Sequence, residues 1–167
     1  MTTKNTDTAQ ALRNAFGHFA TGVTIITAMD AQGAAVGVTA NSFSSLSLDP
    51  PLVLWSLAKT SSTYSVFETA THFAIHVLDA SQAHVAQHFA KRGTDRFASI
   101  SHTPGMGNVP LLADFHACFE CETHTMVDGG DHTILIGRVI RTTERAGEPL
   151  LFYRGQFARA TALAPTA

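Results

Sequence analysis

Between Val38 and Val53 the chain reads VTANSFSSLSLDPPLV, and few folds can accommodate that segment. Thr39, Asn41, Ser45 and Ser47 fall on one face by the two-residue period of an extended strand. Val36, Val38, Ala40, Leu46 and Leu48 fall on the other, so one face is predicted to be core. Pro50-Pro51 then ends the segment, because proline cannot donate to a sheet ladder. A strand meant only for the core would not also carry Ser42 and Ser44 among those hydroxyls. A surface loop would not lead straight into LVLWSL, which reads as a strand apolar on both faces. The segment is predicted to be the wall of a pocket for a flat ligand with polar edges.

At 167 residues the chain is long enough for one domain with a sizeable core. The expected boundaries are a disordered N-terminus over residues 1–8, the domain over 9–160 and a C-terminal tail over 161–167. Net charge is −2 and the 11 Lys and Arg are scattered, so nothing points to nucleic acid or to an anionic membrane surface. No apolar run is long enough to span a bilayer. The opening MTTKNTDTAQ has no apolar core of a signal peptide, which makes the cytoplasm the expected location. Two cysteines, Cys118 and Cys121, are too few for a disulfide framework.

Along the chain, Leu12, Phe16 and Phe19 recur at helical spacing from Ala9, with Arg13 and Asn14 opposite them. Short strands are predicted at Val23–Ala28, from Val36, at Leu52–Leu57, at His72–Leu78 and at Phe115–Val127. Asp128-Gly-Gly-Asp131 is a hairpin signal, with His132–Arg141 as its return strand. A last hairpin, Leu150–Tyr153 with Gln156–Ala160, turns at Arg154-Gly155. Helices are predicted after the hydroxyl-rich Lys59-Thr-Ser-Ser-Thr63 and after Asp79 or Ser81. The first of these loops reads as a helix cap in preference to a phosphate seat. Lys91-Arg-Gly-Thr-Asp-Arg-Phe97 opens a long irregular segment with three cations near Phe97, read as a solvated loop or as an anion- or ring-covering one. Strands and helices do not alternate regularly, which excludes a doubly wound sheet. The class is mainly β: a closed or split antiparallel barrel with a few flanking helices.

Several constellations fail on geometry. His116, Cys118 and His124 share a strand face that Cys121 does not, so HACFECETH is a poor metal box, with one cysteine inward and one outward. His84 and His88 lie on a polar helix face. His72 and His76 are too far apart on a strand for one ion. Gly105-Met-Gly107 follows no strand and fails as a dinucleotide loop. There is no Gly-x-Ser-x-Gly elbow, and Glu120 and Glu122 read as outward-facing. His132 stands out, because it lies where a turn enters an apolar strand, a position at which a barrel presents side chains to its mouth; it reads as a structural histidine or as a functional one.

The segments FGHFATGVTIIT, VTANSFSSLSLDPPLVLWSL, KTSSTY, FAKRGTDRF, DGGDHTILIGRV and LLFYRG together resemble the flavin reductase domain family, the short-chain reductases of two-component flavin monooxygenases. The likeness runs from about Leu12 to Arg159. It implies an FMN-binding split barrel, a homodimer, and reduction of FMN or FAD by NADH or NADPH for a separate oxygenase. It also implies roles for residues. Thr39, Ala40, Asn41 and Ser42 match positions lining the flavin ring, with Ser45 and Ser47 assisting. Ser56, Leu57, Lys59, Thr60, Ser61 and Ser62 match the loop to the ribityl chain and phosphate. Lys91, Arg92 and Phe97 match a later flavin-contacting loop. His132 matches the histidine associated with nicotinamide, and Tyr153 a segment near it. The chemistry implied is hydride transfer to flavin N5 with the two rings at about 3–3.5 Å, so no nucleophile or metal is called for. The alternatives on the same fold are a flavin-binding electron carrier and a cobalamin-type reductase. A metal protein built on Cys118 and Cys121 is the rival outside it.

Overall fold

Twelve strands and three α-helices make up the computed structural model, which describes residues 3–91, 93 and 95–163, with side chains from Thr8 onward. In chain order they are α1 (Thr3–Phe16), β1 (Thr21–Gly22), β2 (Thr24–Met29), β3 (Ala35–Ala40), β4 (Ser44–Leu48), β5 (Pro51–Ala58), α2 (Tyr64–Thr69), β6 (His72–Val77), α3 (Ala83–Ala90), β7 (His102–Pro104), β8 (Pro110–Leu112), β9 (Ala117–Gly129), β10 (His132–Glu144), β11 (Leu150–Tyr153) and β12 (Gln156–Arg159). Every pairing between them is antiparallel. The main sheet has seven strands in the order β3-β2-β6-β9-β10-β5-β4, and β1-β11-β12 form a smaller sheet. The architecture is the split barrel expected from the sequence.

The core follows from the alternation of β5. Val53, Trp55 and Leu57 are buried on one face, where they meet Ile26, Phe67, Phe73, Ile75 and Leu135. Trp55 is fully buried, edge-on to Phe67 at 5.0 Å and to Phe73 at 6.1 Å. Each such aromatic pair adds about 0.5–1.5 kcal/mol beyond area burial. Gly137 on β10 makes room for them, since a Cβ there would lie 2.4 Å from Phe73 Cζ. A second cluster joins Val23, Ile25 and Leu78 to Val85, Ala86 and Phe89 of α3. Asp79 starts that helical segment with a capping box closed by Gln82.

Four expectations need correction. The segment Val38–Val53 is not one strand. It breaks at Asn41–Phe43, and β3 and β4 are the two opposite edges of the main sheet. The shared-face rule therefore lapses beyond Ala40, and the register shift between Ser45 and Ser47 breaks it again. Leu46 and Leu48 are exposed at 47% and 95% instead of facing the core. The first helix begins at Thr3 rather than Ala9 and ends at Phe16, and Leu12, Phe16 and Phe19 are all exposed. The segment after Phe97 holds a hairpin, β7–β8, because the buried carboxylate of Glu120 fastens its turn. Glu120 Oε2 accepts from Met106 N at 2.7 Å and Oε1 from Arg141 Nη1 at 3.2 Å, so this residue is buried, not outward-facing.

Both cysteines are buried too, against the expected inward and outward pair. Cys121 joins the core around Trp55, while Cys118 packs with Ala74, Val109 and Phe115 under the β7–β8 hairpin. Burial pushes both thiols up to about 12, so both are protonated at neutral pH.

Candidate functional site

The break after β3 sets up the site. Where β3 ends, the chain crosses the open end of the barrel and Ser42 locks onto β5. Ser42 Oγ accepts from Ser56 N at 2.9 Å and donates to Ser56 O at 3.1 Å. Thr39 Oγ1 donates to Ala86 O of α3 at 2.6 Å, and Thr24 Oγ1 donates to Ala40 O at 2.7 Å. These hydroxyls, which the sequence suggested for a ligand, are partly spent joining elements. What they create is a cavity of about 430 Å³ between the ends of β3, β5 and α3. That volume lies within the range of small-molecule pockets, about 300–1,000 Å³.

Of the residues singled out from the sequence, Thr39, Ala40, Asn41, Ser42, Ser56, Leu57, Thr60, Ser61, Ser62 and His132 line this cavity together. Ser45, Ser47, Lys59, Lys91, Phe97 and Tyr153 do not, and Arg92 lies outside the described residues. Ser45 and Ser47 sit on the far edge strand. Phe97 is buried beneath the site, 5.2 Å from Phe89. Tyr153 is on β11, 41% exposed.

Lys59 has a different partner. The end of β5 pairs with the start of β10, so the loop after Ala58 lies against the Asp128–Asp131 turn. Lys59 N donates to Asp131 O at 3.0 Å, and its ammonium forms an ion pair with Asp128. That hydrogen bond raises the lysine pKa and holds the Asp128 carboxyl below its ordinary value. Lys59 is therefore paired across the turn rather than presented to the cavity.

The cation that does line the cavity is Arg96, one of the three in the KRGTDRF segment, with Val38, Ala58, Phe89 and Ala90 as the other lining residues not singled out from the sequence. Arg96 Nε donates to Lys91 O at 2.9 Å and Nη1 donates to Gly37 O, while His88 Nε2 donates to Arg96 O at 2.7 Å. Nη2 makes no hydrogen bond to the described residues. Burial without a carboxylate partner lowers the guanidinium pKa below its ordinary value, although it stays charged. A side chain at position 37 would collide with Phe89, 2.5 Å from an added Cβ, so glycine there allows α3 and Arg96 to close on β3. Its place beside Phe97 in Asp95-Arg96-Phe97 was the only signal for Arg96 in the sequence.

At the other side of the mouth, His132 Nδ1 donates to Asp131 Oδ1 at 2.7 Å. The contact holds the Asp131 carboxyl below its ordinary value. It fixes the ring and leaves Nε2 for a ligand. Small side chains along Ala40, Ser42 and Ala58 leave backbone accessible to a flat ring. One unpartnered guanidinium nitrogen and the hydroxyl-bearing loop residues Thr60, Ser61 and Ser62 supply polar contacts, so the residues present fit a flavin. No group of three or more metal-ligating side chains occurs among the described residues.

Comparison with known proteins agrees with this geometry. The family model for the flavin reductase like domain matches residues 16–161, and the chain belongs to that family. Among its relatives, it is 46% identical over 153 residues to the FMN reductase (NADH) SmoA of Agrobacterium fabrum, covering 92% of this chain and 87% of the relative. It is 47% identical over 146 residues to the reductase component of the flavin-dependent trigonelline monooxygenase of Acinetobacter baylyi, covering 87% of this chain but only 47% of that protein. Among solved structures, the NADH:FAD oxidoreductase SgcE6 of Streptomyces globisporus, in complex with NAD and FAD fragments, superposes with a TM-score of 0.89 at 39% identity, covering 95% and 96% of the two chains.

Proposed function

We propose that the chain is an NADH-dependent flavin reductase that reduces FMN or FAD and supplies reduced flavin to a separate oxygenase. The observation that carries this reading is the cavity itself. A backbone wall of small residues, the cation Arg96 and the ring of His132 converge on one opening in a family of flavin reductases. Bound flavin supplies the hydride acceptor, and the chain supplies position. Ala40, Asn41 and Ser42 hold the ring, Thr60, Ser61, Ser62 and Arg96 hold its phosphate-bearing chain, and His132 orients the nicotinamide. Asp131 keeps His132 in place. Relatives named as FMN reductase (NADH) and as monooxygenase reductase components support both the donor and the separate oxygenase.

The active form is a homodimer in this reading. β4 is the terminal strand of the main sheet, with a free edge and exposed Leu46 and Leu48, a surface that a second copy would cover. No helix among the described residues is long and apolar enough to cross a membrane. We place the protein in the cytoplasm, where reduced nicotinamide is available.

The test is NADH oxidation, followed at the NADH absorbance band, by the purified protein with excess free FMN or FAD. Flavin-dependent turnover supports the reductase. A tightly bound yellow flavin without turnover supports an electron carrier instead.

A further inference from the structure

Arg96 lines the flavin cavity, yet it stands on the loop between α3 and β7 rather than on a helix or a strand. A guanidinium that must be ordered when its ligand arrives loses affinity to that ordering. Here the geometry is already set, and a closed ring of hydrogen bonds sets it. Lys91 N donates to His88 O at 3.3 Å, Arg96 Nε donates to Lys91 O at 2.9 Å, and His88 Nε2 donates to Arg96 O at 2.7 Å. Each of the three residues is thus bonded to the other two. Arg96 O can only accept, so His88 carries a proton on Nε2.

The ring orients the guanidinium. Nε is held by Lys91 O and Nη1 by Gly37 O, which leaves Nη2 toward a ligand. The ring is anchored on the end of α3, where the half-buried His88 lies 5.5 Å from the Phe89 ring. Phe97, next to Arg96, packs on the same Phe89 at 5.2 Å. Lys91 enters the ring through its backbone alone, and Arg96 supplies the group that faces the cavity. His88 is the member whose side chain closes the ring without lining the cavity.

We propose that His88 is a positioning residue for recognition of the flavin phosphate: it holds the Arg96 carbonyl, and through the ring the guanidinium, at the cavity. The proposal rests on the reading of Arg96 as part of the phosphate seat. His88 itself touches no ligand.

The experiment uses the full chain and reads binding rather than turnover. Dissociation constants of FMN and of riboflavin, which has no phosphate, are measured by quenching of flavin fluorescence. In His88→Gln the amide nitrogen can stand where the imidazole Nε2 stands. In His88→Asn it ends near the position of Nδ1 and falls short of Arg96 O. His88→Asn should weaken FMN by roughly three- to tenfold and leave riboflavin nearly unchanged, while His88→Gln keeps most of the FMN affinity. In an Arg96→Ala background His88→Asn should change FMN affinity no further, because the group it positions is gone. A histidine with a structural role alone gives another pattern. FMN and riboflavin then weaken together, or the urea midpoint falls while the ratio of the two affinities stays constant. Either result overturns the proposal, as does a loss in the Arg96→Ala background equal to that in wild type. One readout needs no variant to fold. Nitrogen-15 NMR of the wild-type protein should show the neutral His88 ring protonated on Nε2, and an Nδ1–H tautomer would overturn the ring of hydrogen bonds. If wild type binds FMN but does not oxidise NADH, the reductase reading fails, and the selective loss of FMN binding in His88→Asn still stands as the test of His88.

Discussion

Acidification from pH 7 to pH 5 should destabilise this protein through one buried histidine. His76 on β6 is fully buried, with Nδ1 3.2 Å from Ile25 O and Nε2 3.2 Å from Leu112 N. Ile25 O can only accept and Leu112 N can only donate, so the ring is neutral with its proton on Nδ1. Burial lowers its pKa from 6.5 to about 4. The folded pKa lies below the unfolded one, so the unfolded state binds more protons between those values. Stability is therefore complete above pH 6.5 and is lost as pH falls toward 4. Proton linkage at these values gives a loss of about 2 kcal/mol at pH 5 and about 3 kcal/mol at pH 4. The carboxylates Asp79, Asp128 and Asp131 have depressed pKa values and lose their contributions only as pH falls through their ordinary 3.8, which keeps them out of this window. The assay is urea denaturation across pH 7 to 5, read by the fluorescence of Trp55, the single tryptophan. His76→Gln costs about 1–3 kcal/mol at every pH, from disturbed hydrogen bonds. It also removes the His76 part of the pH dependence, and the other histidines cancel in the difference. Equal pH slopes in wild type and H76Q would refute the argument.

Arg96→Ala should weaken use of FMN by about tenfold or more while leaving riboflavin, which has no phosphate, nearly unaffected; steady-state KM values for the two flavins check this, and equal losses would remove Arg96 from the phosphate seat. His132→Ala should raise the KM for NADH more than it weakens flavin binding, and an unchanged KM would end its assignment to the nicotinamide. Gly137→Ala drives a methyl into Phe73 and Cys121 and should cost about 1–3 kcal/mol by overpacking, measured as a shift in the urea midpoint at constant m-value. Asp128→Asn should release Lys59 and change stability by well under what the core variant loses, because the pair is solvent-exposed.

Much of the fold was legible because its signals are local. β2, β5, β6 and the hairpins at Asp128–Asp131 and Arg154–Gly155 announce themselves through β-branched runs and turn residues, and these depend on φ, ψ and side-chain entropy alone. The pocket wall was legible for a similar reason. Small hydroxyl side chains set in an apolar run are costly in a core unless something uses them. His132 was singled out because it begins a strand after a hairpin turn, and the register of β10 against β5 places it in the lining of the cavity.

What the sequence could not decide depended on partners distant along the chain. The link at Asn41–Phe43 sends β3 and β4 to opposite edges of one sheet, so periodicity read across it put Leu46 and Leu48 in the core when they are on the surface. Glu120 looked outward until the turn at Met106 folded over it and supplied the donor that makes its burial tolerable. Lys59 and Arg96 carry the same charge in loops of similar composition. Only the hairpin that brings Asp128 against Lys59, and the packing of α3 on Gly37 beneath Arg96, decided which of them faces the cavity. Local propensity specified the strands and turns. Pairing between residues far apart in the chain chose which polar groups were spent on the fold and which remained for a ligand, because each hydrogen-bonding group can be satisfied only once.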